Sequence, residues 1–306
     1  MKRTMDKIVV VGSSNVDTVI RVPHIPAAGE TLMARGVDAY FGGKGANQAT
    51  AIARLDGDVT FLACVGDDDF GRTMLQNLND SGVITDSVVQ LKDTLSGAAY
   101  IYVSDSGENN IVVNAGANSC LTKEIVKEYR TAIESASYCI IQLEIPLDTL
   151  YYVAELCQST GVKLILNPAP AHSLDFEKLK NSWMIIPNEG ELNSLVPDSG
   201  DIEDKARKLL NKGFEHVLVT LGSQGCLLVN SDGEKRYPAY TAPSVVDTTA
   251  AGDSFIGALA VSLSKGQSIE KSIDFAAKAA AITVSRLGAQ PSLPKLREVE
   301  TARLTT

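Results

Sequence analysis

The sequence predicts an α/β fold: a central, mainly parallel sheet flanked by helices, with a small β-sheet lid. Three observations predict it. Short, nearly continuous apolar runs recur along the chain, as strands buried on both faces require. Helical patterns lie between most of them, and strand–helix alternation argues a parallel sheet covered on both sides. Polar residues follow the strands directly: SSNVD, Glu144, Asn167, NEGE and LGSQG. Ligands of open parallel sheets bind beyond the carboxyl ends of the strands, so these tails predict one shared cleft.

The elements follow in order. KIVVVG is the first strand. Residues 14–41 carry Pro23, Pro26 and Gly29 among short alternating stretches, and no long helix fits. GANQATAIARL reads as a helix, VTFLACVG as a strand and FGRTMLQNLND as a helix. GDDDFG (66–71) between the last two reads as a strand-to-helix turn with capping carboxylates rather than a metal site. Residues 96–114 read as a hairpin, SGAAYIYV and IVVNAG around the turn SDSGENN. TKEIVKEYRTAIESA is a helix with Thr122 as N-cap, and LDTLYYVAELCQSTG and DIEDKARKLLNKG are further helices. SYCIIQLE, VKLILNP, WMIIPNE and HVLVTLG are strands. Segments 14–41 and 96–114 together make a small antiparallel sheet inserted into the larger body. With no repeat, linker or low-complexity tract, residues 1–306 are expected to form one domain with a discontinuous lid.

Bulk properties exclude several functions. A chain of 306 residues needs neither disulfide nor metal to bury a core. The formal net charge of −9 argues against general binding to nucleic acid or anionic membranes. Five cysteines without C-x-x-C spacing read as reduced, mostly buried thiols, and three scattered histidines make no metal centre. The N-terminus begins basic, but Ile8 to Val11 is too short a run for a signal peptide, and no segment reaches a membrane span. A cytoplasmic protein is expected.

DTTAAGDSFIGAL (247–259) carries the chemistry. Phe255, Leu259 and Leu263 mark one buried helix face, which places Asp253 in the first turn behind Ala250, Ala251 and Gly252. Such a helix start presents unpaired N–H groups to an anion, although an acidic first turn is also ordinary capping. FGGKGANQA (41–49) opens another helix, but Lys44 is followed by glycine, so it is not a P-loop. Gly42 and Gly43 would let the backbone approach a polyhydroxy ligand while Lys44 and Asn47 donate hydrogen bonds; a plain tight turn is the alternative. GSSNVD lacks the glycine fingerprint of a dinucleotide-binding dehydrogenase.

Together these motifs resemble the ribokinase family of carbohydrate kinases, from about residue 7 to about residue 297. The ordered set GSSNVD, FGGKGANQA, NAGAN (114–118), QLE (142–144), NPAPA (167–171), PNEGE (187–191), TLGSQG (220–225), DTTAAGDSFIGA and GAQPS (288–292) carries the resemblance. It implies ATP-dependent phosphorylation of D-ribose at the 5-hydroxyl, with magnesium required and potassium activating. Asp253 would be the general base, and the N–H groups of Ala250, Ala251, Gly252 and Asp253 would hold the transferring phosphoryl group. Asn15, Asp17, Gly42, Gly43, Lys44, Asn47 and Glu144 would bind the sugar, beside Asp253. Asn188 and Glu191 would orient phosphates and magnesium through water, although N-x-x-E is also a capping-box pattern. Thr220, Gly222 and Gly225, with Gly252, would cradle ATP. Asp247, Thr249, Thr283, Arg286, Gly288 and Ser292 match positions whose oxygens, many from backbone carbonyls, enclose a monovalent cation. Relatives of this type commonly dimerise through the lid.

Three departures from the family pattern stand out. Asp56 replaces the Gly or Ser after the GGKGAN helix, where Asp tolerates left-handed geometry. Ala277 replaces Asn or His near the nucleotide, and Ser96-Gly97-Ala98 differs from the commoner threonine-glycine form. The alternatives are a kinase for another neutral pentose, deoxyribose or a nucleoside, and a non-catalytic sugar-binding regulator on the same fold. A sugar phosphate fits poorly, because the sugar motifs offer Lys44 but no arginine cluster.

Overall fold

Two sheets, one of nine strands and one of four, organise the protein. The computed structural model describes residues 6–306, and the basic start of the chain lies outside the described residues. The chain enters on β1 (Ile8–Val11) and passes into β2 (Asn15–Val22) and β3 (Gly36–Gly42) of the smaller sheet. Helix α1 (Lys44–Arg54) returns it to the larger sheet, followed by β4 (Val59–Gly66), α2 (Asp69–Asp80) and β5 (Ile84–Leu91). A second excursion, β6 (Gly97–Ser104) and β7 (Asn109–Asn114), completes the smaller sheet. Next come α3 (Lys123–Glu128), α4 (Arg130–Glu134), β8 (Tyr138–Ile141), α5 (Leu147–Thr160), β9 (Lys163–Leu166) and β10 (Met184–Ile185). Then follow α6 (Glu189–Leu195), α7 (Ile202–Leu210), β11 (His216–Thr220), β12 (Cys226–Asn230) and β13 (Gly233–Tyr237). Helices α8 (Ala251–Ser264), α9 (Ile269–Thr283) and α10 (Leu296–Thr301) close the chain.

The larger sheet runs β13-β12-β11-β10-β9-β8-β1-β4-β5 and is parallel except for the β11-β12-β13 hairpins at one edge. Its strands are apolar on both faces because both faces are covered. Val9 and Val11 point into one core with Val126, Leu150, Val153 and Leu209, whereas Ile8 and Val10 point into the other with Ile52, Leu259 and Ile273. Each strand therefore contributes alternate residues to two helical layers. Helix α8 is buried from Asp253 to Ser264, which explains why its sequence is apolar nearly all round. Gly257 lets it lie close to α1: a Cβ there would stand 2.7 Å from the Ala51 Cβ.

The smaller sheet has the order β3-β2-β6-β7, and its strands fall within 14–41 and 96–114 apart from Gly42 at the end of β3. The hairpin is present as expected, but the sheet is not wholly antiparallel, because β2 and β6 pair in parallel. Both strands leave the larger sheet in the same direction, and a sequence pattern that shows only local hairpins does not reveal this. Asp68 fastens the small sheet to the body. It caps α2 by accepting from Gly71 N at 2.7 Å and also takes Ser96 N at 2.8 Å and Ser96 Oγ at 2.6 Å. The capping role expected for 66–71 is thus present, with a second task.

Two local expectations change. The helix expected over 122–136 divides at Tyr129, whose N–H turns back to Val126 O at 3.1 Å, and the Thr122 side chain caps no backbone N–H. WMIIPNE contributes only a two-residue strand. Asp56 has φ 58, the left-handed geometry expected after α1. All five cysteines are free and four are buried; Cys120 is half-buried. No helix among the described residues is long and apolar enough to cross a membrane.

Candidate active site

The site grows from two helix N-termini. Helix α1 begins after Gly43, which has φ +86 and no side chain to cap the first turn. Its orphan N–H groups are met from other segments. Lys44 N donates to Glu144 Oε2 at 3.0 Å and Ala46 N to Ser13 O at 2.8 Å. Ser13 Oγ also donates to Glu144 Oε2, in a short contact. A carboxylate is well placed at this end of a helix. Glycine is obligatory here: a Cβ on Gly43 would stand 2.7 Å from Asn15 N, and one on Gly42 would stand 2.1 Å from Asp17 Oδ2.

Asp17 lies on β2, opposite Tyr40 and Ala99. Burial first, then the carboxylates of Glu144 and Asp253, push its pKa from 3.8 up to about 6, with Lys44 acting the other way. Asn15 is buried beside it, its Oδ1 accepting from Asn118 Nδ2 at 2.7 Å. Asn118 Oδ1 in turn accepts from Ser14 N at 2.9 Å. The sugar-site residues predicted from sequence thus cluster where β1 and β8 end and α1 begins.

Helix α8 supplies the second N-terminus. Ala250 precedes it at φ 59, a left-handed conformation uncommon for a residue other than glycine. Ala251 N donates to Thr248 O at 3.3 Å, whereas Gly252 N and Asp253 N find no partner among the described residues. Nothing stands within 4 Å of where a Gly252 Cβ would be, so the turn is open. Asp253 is only 7% exposed. Asn47 Nδ2 donates to its Oδ2 at 3.0 Å and Gln48 Nε2 to its Oδ1 at 2.9 Å. Burial pushes the Asp253 carboxyl up, while Lys44, Asn47 and Gln48 pull it down and Glu144 adds to the rise.

Asn188 and Glu191 form a complete capping box at α6: Glu191 N donates to Asn188 Oδ1 at 2.8 Å and Asn188 N to Glu191 Oε2 at 2.9 Å. Glu191 Oε1 accepts from Asn188 Nδ2 at 2.9 Å. Burial raises the Glu191 pKa against the pull of Asn188 and Lys44, with Asp253 adding to the rise, so Glu191 faces the same space as both charges. Thr220 bridges to Asn188 at the end of β11. Gly222 is left-handed in open space, but Gly225 has a packing reason as well, since a Cβ there would stand 1.9 Å from Tyr237 O. Asp247 ties two loops together, accepting from Thr249 N at 2.9 Å and from Gly288 N at 2.9 Å. These bonds hold its carboxyl below the usual range, although burial opposes them. The Thr283 hydroxyl donates to Ser254 Oγ at 2.8 Å, Ser292 Oγ donates to Ala289 O at 2.6 Å, and Arg286 pairs with Glu298. Each of these last three side chains is thus engaged with a neighbour inside the protein. Among the described residues no group of three or more His, Cys, Asp or Glu is placed to hold a metal ion directly.

Several residues escaped the sequence reading. Gln48 and Asn118 bind other site residues, as do Ser13 and Asn167, which the sequence places in the cleft only as polar strand tails, and Arg54 fastens GAQPS by donating to Gln290 O at 2.6 Å and Leu293 O at 3.1 Å. All but Arg54 stand inside the quoted motifs. The available signal was a long polar side chain in a helix otherwise rich in small residues, as Gln48 is in GANQATAIA.

Residues 5–296 match the pfkB family carbohydrate kinase profile. The chain is 40% identical to a ribokinase of Schizosaccharomyces pombe over 97% of each chain. Among solved structures, a ribokinase from Thermotoga maritima superposes with TM-score 0.90 at 37% identity, covering 96% of this chain and 98% of that one. An Arabidopsis thaliana ribokinase complexed with ribose and ATP superposes with TM-score 0.92 at 32% identity, covering 97% and 98%.

The Asp17 geometry sets a pH dependence. The folded protein holds the Asp17 proton more tightly than the unfolded chain, so stability present below 3.8 is lost as pH rises toward about 6. Asp17→Asn should therefore gain on the wild type in urea unfolding between about pH 4 and about pH 7. A stability gap that stays constant across that range would show that Asp17 titrates normally.

Proposed function

The chain belongs to the pfkB family of carbohydrate kinases, and on that premise we propose that it transfers the γ-phosphoryl group of ATP to the 5-hydroxyl of D-ribose, giving D-ribose 5-phosphate. The observation that carries this reading is the buried Asp253 carboxylate in the open first turn of α8, with the polyol-binding cluster of Asn15, Asp17, Lys44 and Glu144 beside it. Full-length similarity to ribokinases supports the acceptor.

Asp253 takes the proton from the 5-hydroxyl as that oxygen attacks the γ-phosphorus in line, and ADP leaves. A positioned base contributes about 10²–10⁴-fold. Burial keeps this carboxylate more basic than a solvated one. The unpartnered N–H groups of Gly252 and Asp253 receive the charge on the phosphoryl oxygens, worth about 10²–10³-fold for one well-placed donor. Ala250 and Ala251 shape that turn. Glu144 Oε2 is engaged by Lys44 N and Ser13, which leaves Oε1 for a sugar hydroxyl. Asn47 Oδ1 is buried and unsatisfied among the described residues, an acceptor waiting for a donor. The two excursions that form the small sheet serve as a lid over the sugar.

Both Glu191 oxygens are already bonded, so it suits a hydrated magnesium ion reached through water rather than a direct contact. Magnesium would neutralise charge on the phosphates. Potassium would sit beside the loops that Asp247 joins, which are further tied where Val284 O accepts from Val246 N and Asp247 N. There it would add a fixed positive charge behind the anion turn. Thr220, Gly222 and Gly225 would border the nucleotide. Buried, reduced thiols suit a cytoplasmic enzyme.

A second copy of the chain would cover the lid. Val37, Ile111, Val112 and Val113 are each more than half exposed. By register Ile111 and Val113 share the face of Asp17, whereas Val112 lies with Tyr100 on the opposite face. The same sheet packed across a two-fold axis is the economical cover.

In a coupled ADP-release assay, ribose should outperform deoxyribose, other pentoses, hexoses and nucleosides; a better acceptor in that panel would reassign the substrate. Asp253→Asn should retain fold and ATP binding but lose about 10²-fold or more in turnover, and near-normal turnover would remove Asp253 from the mechanism. Potassium should activate more than sodium at fixed magnesium and ATP, whereas rates equal to those in a large organic cation at matched ionic strength would count against the site. Sedimentation at micromolar concentration should show a dimer that Ile111→Asp or Val112→Asp breaks, according to the covered face. A fully active wild-type monomer would sink the interface.

A further inference from the structure

A row of amide side chains stands behind Asp253, and phosphoryl transfer as described gives it no task. Gln48 on α1 is fully buried. Its Nε2 donates to Asp253 Oδ1 at 2.9 Å and to Asn167 Oδ1 at 3.1 Å, and its Oε1 accepts from Gln142 Nε2 at 2.6 Å. Asn167 is held in turn by donating through Nδ2 to Ile186 O at 3.3 Å. An amide can meet a carboxylate only through its NH₂ end. Two neighbours impose that orientation on Gln48: Asn167 offers an oxygen to the same Nε2, and Gln142 offers an N–H to Oε1. Gln142 Oε1 is meanwhile left buried without a partner among the described residues. An unsatisfied buried acceptor costs stability, so the row is an expensive way merely to fill space. Gly12 makes room for it, since a Cβ there would stand 2.1 Å from Gln142 Oε1.

We infer that Gln48, oriented by Gln142 and Asn167, is a positioning residue for phosphoryl transfer: it holds the Asp253 carboxylate aimed at the acceptor hydroxyl and in its charged form. The inference rests on the reading of Asp253 as the base. Asn47 grips the other oxygen but lies among the proposed sugar contacts, where an incoming hydroxyl competes for it. Gln48 is on the core side, so its bond persists when the sugar enters. A hydrogen bond to the charged form of a carboxylate favours that form. The other charged groups facing Asp253 are Lys44 on α1, Glu144 after β8, Asp17 on β2 and Glu191 on α6, and substitution at 48 leaves all of them in place.

The test is the pH profile of kcat for Gln48→Met and for Gln142→Met, the second of which does not touch Asp253. Gln48→Met should move the acid limb up by about one pH unit and lower kcat about tenfold at neutral pH, with KM for ATP unchanged. Gln142→Met should move the same limb in the same direction by less, and it decides the matter if Gln48→Met does not fold. An acid limb that stays in place in the folded variants, even with a lowered thermal midpoint, overturns the inference and leaves Gln48 a packing residue. Asp253→Asn separates the two readings: if it is inactive while the limb is unmoved, only the positioning role fails, and if it is active, the base assignment itself fails.

Discussion

The close approach of α1 to α8 is the constraint on which the site depends. The two helices lie on one face of the larger sheet, and Gly257 against Ala51 removes the side-chain bulk that would hold them apart. At this separation, residues near the start of α1 reach the first turn of α8, so Asn47 and Gln48 grasp Asp253 from one helix while the carboxylate belongs to the other. A buried carboxylate without partners would be strongly disfavoured. Here the hydrogen bonds that make its burial tolerable also fix its direction.

The same economy holds at the start of α1. Its first-turn N–H groups need acceptors, and Glu144 and Ser13 supply them from the ends of β8 and β1. Residues read as ligand contacts are therefore also caps. Asn188 and Glu191 repeat the pattern at α6, and Asp68 at α2 extends it to the smaller sheet. Helix termini in this fold have unsatisfied groups directed at the cleft, and one side chain can serve both the terminus and a ligand. A choice between capping and binding for such residues is a false alternative.

This explains what was legible in the sequence. The parallel sheet was plain because strands buried on both faces write continuous apolar runs, and Val9 and Val10 need not differ to face different cores. The left-handed Asp56 and the Asp68 cap followed from local chemistry. Gly42, Gly43, Lys44 and Asp253 stood out because backbone approach and helix starts leave short, dense signatures. The parallel β2–β6 pairing was hidden, since it joins strands more than seventy residues apart with no local cue. The break at Tyr129 was equally hidden, because nothing in TKEIVKEYRTAIESA opposes a continuous helix. Gln48 and Asn118 were missed because a buried polar side chain is recognisable only through its partners, and theirs lie in distant segments.

The cysteines have a consequence outside carbohydrate chemistry. Burial pushes the Cys64 and Cys226 thiols up to about 12, and Cys139, paired with Cys157 inside the core, is also raised. Oxidants and alkylating agents attack the thiolate, and at neutral pH these three residues hold almost none. Cys120 alone is half-buried rather than buried. A thiol-directed electrophile reaching this protein thus meets a folded chain with few reactive cysteines, and none of the cysteines takes part in the bonds that hold Asp253.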